Sequence, residues 1–167
     1  MRLLRRCGVT VHVVLLALVI VTGCRSESDH MGTDELREFA AGYTEAWSSH
    51  EADRVASYFS EAGSLKVNDA EPAVGREAIA AVVQGFVDAF PDFVLTMDSL
   101  QMNDGAIEYH WTFSGTNTGP GGGGQAVRFS GYEEWTMGEN GLVTKSKGHF
   151  DEVEYARQLE FGVRGQR

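Results

Sequence analysis

Ile107-Glu108-Tyr109-His110-Trp111-Thr112-Phe113 is the stretch that decides the fold. Apolar side chains at the odd positions alternate with polar ones at the even positions. That period of two sets one face of a strand against a core and leaves the other to water. Upstream, Asn103-Asp104-Gly105 is a strong hairpin signal and joins this strand to another predicted over Phe93 to Met102. Downstream comes a long turn, Thr116 to Gln125, with Gly119, Pro120 and then Gly121 to Gly124. Val127, Phe129, Glu133, Trp135 and Met137 alternate next, and Glu139-Asn140-Gly141 turns the chain into a strand at about 142–150.

Earlier in the chain the period changes. Leu36, Phe39, Ala40, Tyr43 and Trp47 recur at helical spacing, with Thr33 or Asp34 as cap, and predict a helix over 34–49. Ala52, Val55, Ala56 and Phe59 suggest a short second helix, and Ser64 to Asn68 a strand. Glu77 to Phe90 reads as a third helix, with Ile79, Val82, Val83 and Phe86 on one side and Pro91 as its stop. Glu152 to Glu160 closes the chain as a short helix. Helices first and a meander of long antiparallel strands afterwards is an α+β pattern, with helices packed on one face of a curved sheet. A sheet bent around one long helix leaves a concave space suited to a small ligand.

The chain has 167 residues and a formal net charge of −10, enough for one domain. Its 43% hydrophobic content excludes a disordered chain, and its acidity argues against a nucleic-acid partner, which needs a basic footprint. Arg2, Arg5 and Arg6 precede an apolar run from Val13 to Val21, followed by Val21-Thr22-Gly23-Cys24. A basic start, a short apolar segment and small residues before the cut describe a secretory signal over 1–23. The apolar run is shorter than the ~20 residues that span a bilayer. Val-Thr-Gly-Cys resembles a bacterial lipobox, which implies cleavage before Cys24 and lipidation of its thiol. The expected address is therefore the extracytoplasmic side of a membrane in the cell envelope, with residues 24–33 as tether, 34–162 as domain and 163–167 as tail. Cys7 leaves with the signal and Cys24 carries lipid, so the folded domain has no thiol for a disulfide, metal or nucleophile.

Asp151 is the titratable group of most interest, since it ends the last strand and starts the closing helix. Facing an apolar cavity, it would have a raised pKa and could remove a proton from an acidic C–H or an activated water. Facing out, it would cap the helix by accepting N–H bonds from residues 153 and 154. No histidine pair has zincin spacing, and His149 with Asp151 could hold a metal only with distant partners, so no metal site is expected. Tyr43, Trp47, Trp111, Trp135 and Phe150 are candidate pocket walls and equally candidate core; as a set they favour an apolar or aromatic ligand. Glu133 and Glu134 occupy opposite strand faces, so one of them points inward and needs a partner or a raised pKa. Arg128 and Lys147 are possible partners, and parity alone leaves the choice open. The glycine run lacks the Gly-Lys-Ser/Thr of a phosphate loop and reads as a flexible hairpin tip.

Trp111-Thr-Phe-Ser-Gly-Thr-Asn-Thr-Gly-Pro120 resembles the tryptophan strand and Gly-Thr-His-Thr-Gly turn of SnoaL-like polyketide cyclases. The ending, Gly141 to Gly162, resembles theirs through Phe150-Asp151 and Gln158-Leu159. The resemblance covers about 34–162 and implies an NTF2-like cone. It implies acid/base chemistry by Asp151 without metal or cofactor, helped by a histidine. Asn117 stands where relatives often carry His, which leaves His110 and His149 as candidates for that helper. The expected function is binding of a small apolar or aromatic molecule in the cone. Two alternatives are a cofactor-free cyclase, isomerase or hydrolase, and a non-catalytic accessory domain that forms a homodimer.

Overall fold

The computed structural model describes residues 31–103 and 106–165. The signal and lipobox expectations, Cys24 included, and the Asp104-Gly105 tip lie outside the described residues. The elements run α1 (Thr33–Ser48), α2 (Ala52–Ala56), β1 (Phe59–Val67), β2 (Ala73–Val74), α3 (Arg76–Ala89), β3 (Val94–Asn103), β4 (Ala106–Thr116), β5 (Ala126–Met137), β6 (Val143–Phe150) and α4 (Glu152–Phe161).

Six strands form one sheet in the order β2-β1-β6-β5-β4-β3. The β3-to-β6 meander is antiparallel, as the alternation predicts. The β1 strand departs from that expectation. It begins at Phe59, five residues before the predicted start, and pairs with β6 in parallel, which joins the first half of the chain to the last strand. Register shifts between Met97 and Ser99 in β3 and between Phe59 and Ser64 in β1 add the bends that curve the sheet.

Helix α1 lies on the concave face and buries Leu36, Ala40, Tyr43, Ala46 and Trp47. Gly32, not Thr33 or Asp34, is its N-cap, and the Glu35 side chain accepts the Gly32 N–H at 3.0 Å. The inward positions of β4 and β5 bury Tyr109, Trp111, Phe113, Val127, Phe129 and Trp135, and Tyr109 and Trp135 pack edge-on against Tyr43 of α1. Helix α4 closes one end. Buried Gln158 accepts the Arg128 N–H at 2.6 Å and donates to the Arg128 carbonyl at 2.9 Å, pairing with β5 as another strand would.

The glycine turn is docked rather than free. Gly119 donates its N–H to the Ala89 carbonyl at 3.2 Å, and a Cβ there would run into the Asp88 carbonyl oxygen. Asp92 accepts both the backbone N–H and the hydroxyl of Thr116 at 2.7 Å each, which holds its pKa below the ordinary carboxylate value. The turn is therefore a clasp between the end of α3 and the β4–β5 hairpin.

Candidate functional site

Because Trp111 and Phe113 face inward, every second residue beyond them does too, and the same parity carries across β5 and β6. Trp47 from α1, Phe86 from α3, Trp111 and Phe113 from β4, Phe129 from β5 and Phe150 from β6 surround a cavity. Leu65, Val67, Leu95 and Gly148 complete its wall, with Glu133 as its one ionisable member. The rings follow one another around it. Trp47 to Phe86 is 5.9 Å, Phe86 to Phe113 6.2 Å, Phe113 to Phe129 5.1 Å, and Phe129 to Phe150 5.1 Å between centroids. The free space is about 50 Å³, room for a compact group and not for a polycyclic body.

Two glycines make that arrangement possible. Gly131 sits opposite both Trp111 and Phe150 across the sheet. A Cβ at Gly131 would lie 2.6 Å from the Trp111 ring and collide with the His149 carbonyl, so only glycine lets Trp111 fold down over β5. Gly148 is opposite Glu133, and the missing side chain leaves space beside the Glu133 Cγ.

Glu133 is 5% exposed. Its Oε2 accepts from Ser146 Oγ at 2.6 Å, Trp135 Nε1 at 2.9 Å and Tyr43 Oη at 3.2 Å, whereas Oε1 has only the Tyr43 hydroxyl at 3.4 Å. All three donors are neutral, and no Lys, Arg or His among the described residues forms an ion pair with it. Burial raises the Glu133 pKa above the ordinary value, and the hydrogen bonds from Ser146, Trp135 and Tyr43 oppose that rise without cancelling it. Burial, and then the nearby charge of Glu133, pushes the Tyr43 phenol well above its ordinary value, so it stays a neutral donor. Such a carboxyl can take up or release a proton within an apolar enclosure.

The structure distributes the sequence-predicted residues in three groups. Trp47, Trp111 and Phe150 are on the cavity wall. Tyr43 and Trp135 are not; they stand behind Glu133 as its donors, because Trp135 stacks on Tyr109 at 4.7 Å and Tyr43 meets Trp135 edge-on at 5.2 Å. His110, His149 and Asp151 are away from the cavity. The parity that turns Trp111 and Phe150 inward turns the two histidines outward, where they stack on either side of Tyr132 at 5.4 and 4.7 Å. His110 is 3.1 Å from Glu108, and His149 is 3.7 Å from Glu134. Asp151 is exposed and accepts the Glu154 N–H at 2.9 Å as the cap of α4. The expectation that Asp151 faces the cavity is thus corrected, and the capping alternative describes its place. The inward glutamate is Glu133, and neither suggested partner reaches it: Lys147 pairs with Glu134 at 3.3 Å and Arg128 bonds Ser114.

Among the described residues no cluster of His, Cys, Asp and Glu has a metal-binding arrangement, and no helix is long and apolar enough to cross a membrane. The indole nitrogens of Trp47 and Trp111 are buried without a hydrogen-bond partner among these residues.

Known proteins with this architecture bear on the site. No curated protein matches the chain in sequence. In three dimensions it is similar to a Catenulispora acidiphila protein of ketosteroid isomerase-like fold, in complex with trimethylamine (11% identity, 74% of this chain and 92% of that one, TM-score 0.65). It is also similar to TsrD from Streptomyces laurentii (18% identity, 78% and 98% covered, TM-score 0.67). A third likeness is to SalBIII, an epoxide hydrolase/cyclase-like enzyme of pyran ring formation in the polyether salinomycin (15% identity, 75% and 97% covered, TM-score 0.65). At such identities the likeness is one of fold, the NTF2-like cone. The sequence profile of the SnoaL-like polyketide cyclases matches residues 37–159, nearly the whole domain. A cone with this ring-lined interior, matched along that length, makes the chain a member of the SnoaL-like polyketide cyclase family.

Proposed function

We propose that this is an exported, lipid-anchored domain that holds a small molecule in the cone, with Glu133 as the polar contact. The observation that carries the reading is the enclosure itself: six rings around a free space with a single buried carboxyl on its wall. A packed core of this size would fill that space, since interiors are close-packed and a void forfeits contacts on all its lining atoms. The address rests on the basic start, the apolar run and the Val21-Thr22-Gly23-Cys24 sequence. A neighbour that shares the fold is described with trimethylamine bound, which is consistent with a compact ligand in such a cone.

Two experiments test the parts separately. Native mass spectrometry of the purified chain should show a retained small molecule, or soaked compact ligands should shift the Trp47 and Trp111 indole resonances. An interior that takes up nothing across a broad set of small compounds would sink the binding reading. Cys24→Ala should move the protein from the membrane fraction to the soluble fraction and abolish a lipid adduct on the N-terminal peptide. Unchanged partitioning would remove the anchor.

The raised pKa of Glu133 also favours a second reading, cofactor-free acid/base catalysis. In it Glu133, not Asp151, accepts a proton from an acidic C–H of the bound molecule and returns it elsewhere on the same molecule. Glu133→Gln would then abolish turnover and Asp151→Asn would not. Loss of turnover only in Asp151→Asn would contradict this version.

A further inference from the structure

We infer that the ligand of this cavity is a small organic cation, a compact alkylammonium group held between the six rings and Glu133. The inference rests on the small-molecule reading above and narrows it to a chemical class.

The carboxyl is the first argument. A carboxylate offers two oxygens with about four acceptor directions. Oε2 is saturated by Ser146, Trp135 and Tyr43, while Oε1 keeps a single contact at 3.4 Å. Every donor around it is neutral. Buried carboxylates are ordinarily paired with a cation, and the described residues supply none here. A bound cation would complete the group; an anion would meet repulsion, and a neutral apolar molecule would leave Oε1 unmet.

The rings are the second. Aromatic faces carry negative potential, and a cage of several faces is the arrangement that selects alkylammonium ions over neutral molecules of equal shape. The indole nitrogens of Trp47 and Trp111, whose N–H edges would repel a cation, are buried. The third is size: about 50 Å³ of free space suits a branched ammonium group better than an extended chain. The net charge of −10 also favours approach of a cation over an anion.

Titration calorimetry of the full chain with tetramethylammonium chloride and with tert-butanol, a neutral molecule of similar size, tests this. The cation should bind at least tenfold more tightly. Glu133→Gln should cut that preference to threefold or less, while Glu134→Gln, on the opposite face of the same strand, should leave it unchanged. Should Glu133→Gln lose its near-ultraviolet circular dichroism, Gly148→Ala replaces it. A Cβ at Gly148 meets its neighbours at 3.5 and 3.7 Å, ordinary contact, yet intrudes on the space beside Glu133. It should weaken the cation at least threefold. Equal or tighter binding of tert-butanol overturns the cation inference and leaves the small-molecule reading standing. Preference for the cation that vanishes in Glu134→Gln and survives in Glu133→Gln assigns it to the surface and overturns the inference as well. Failure of both probes to bind overturns the inference and counts against the reading beneath it.

Discussion

Glu133 and Glu134 are neighbours in β5 and live in opposite worlds. Glu133 faces the rings, is 5% exposed, and is held by a serine, a tryptophan and a tyrosine. Glu134 faces outward, its side chain is 45% exposed, and it lies 3.3 Å from Lys147 and 3.7 Å from His149. The same contrast extends over the sheet. The inner face of β4 to β6 carries rings and one acid; the outer face carries His110, Tyr132 and His149 stacked in a row, with Glu108 and Glu134 beside the two histidines. Identical side chains acquire different chemistry from one step in register, because water screens and solvates one of them and carbon surrounds the other.

The largest expected effect separates the two glutamates directly. Glu133→Ala leaves the Ser146, Trp135 and Tyr43 donors without their acceptor and enlarges the cavity. By the cost of unmet buried donors it should destabilise the domain by about 3 kcal/mol in urea titration. Glu134→Ala should cost less than about 1 kcal/mol, as exposed ion pairs do. Equal losses at the two positions would erase the distinction. Next, Gly131→Ala should cost about 2 kcal/mol, because the new Cβ displaces the Trp111 ring that walls the cavity. Quenched or shifted tryptophan fluorescence should accompany it, and an unchanged spectrum would place Trp111 elsewhere. Asp151→Ala should cost about 1 kcal/mol through the α4 cap, with no change in ligand binding. An effect on binding at constant stability would return Asp151 to the site.

The strand-rich half was legible in sequence because its alternation is regular. Ile107 to Phe113 and Val127 to Met137 each name one buried face, and Asn140-Gly141 marks a turn. The parallel partnership of β1 and β6 was not legible, since local pattern says nothing about which distant strand lies alongside. The glycine run misled in another way. Glycine signals freedom in a sequence, but at Gly119 it signals close approach to the end of α3. The site was half legible. Glu133 shares the parity of Val127 and Phe129, which points it inward, but that count competes with the expectation that a glutamate seeks water and did not decide between Glu133 and Glu134. Asp151 drew attention by standing at a strand end, yet the first residue before a helix is equally a capping position, and there it accepts the Glu154 N–H. Tyr43 and Trp135, read as walls, are the donors that keep the acid in place.

The titration of Glu133 tests the central claim most directly, and its sign follows from burial. A carboxyl whose pKa is raised on folding binds its proton more tightly in the native state. Its contribution to stability is full below the unfolded value of about 4.5 and is lost as pH rises toward the folded value. The side-chain carboxyl carbon of Glu133, assigned by its absence in Glu133→Gln, should titrate above 4.5 in a ¹³C NMR pH series, and the melting temperature of Glu133→Gln should gain on that of the natural chain between pH 4.5 and 7. A Glu133 resonance that titrates at or below 4.5, with the two melting curves parallel across that range, would contradict a buried, unpaired acid on the wall of the cone.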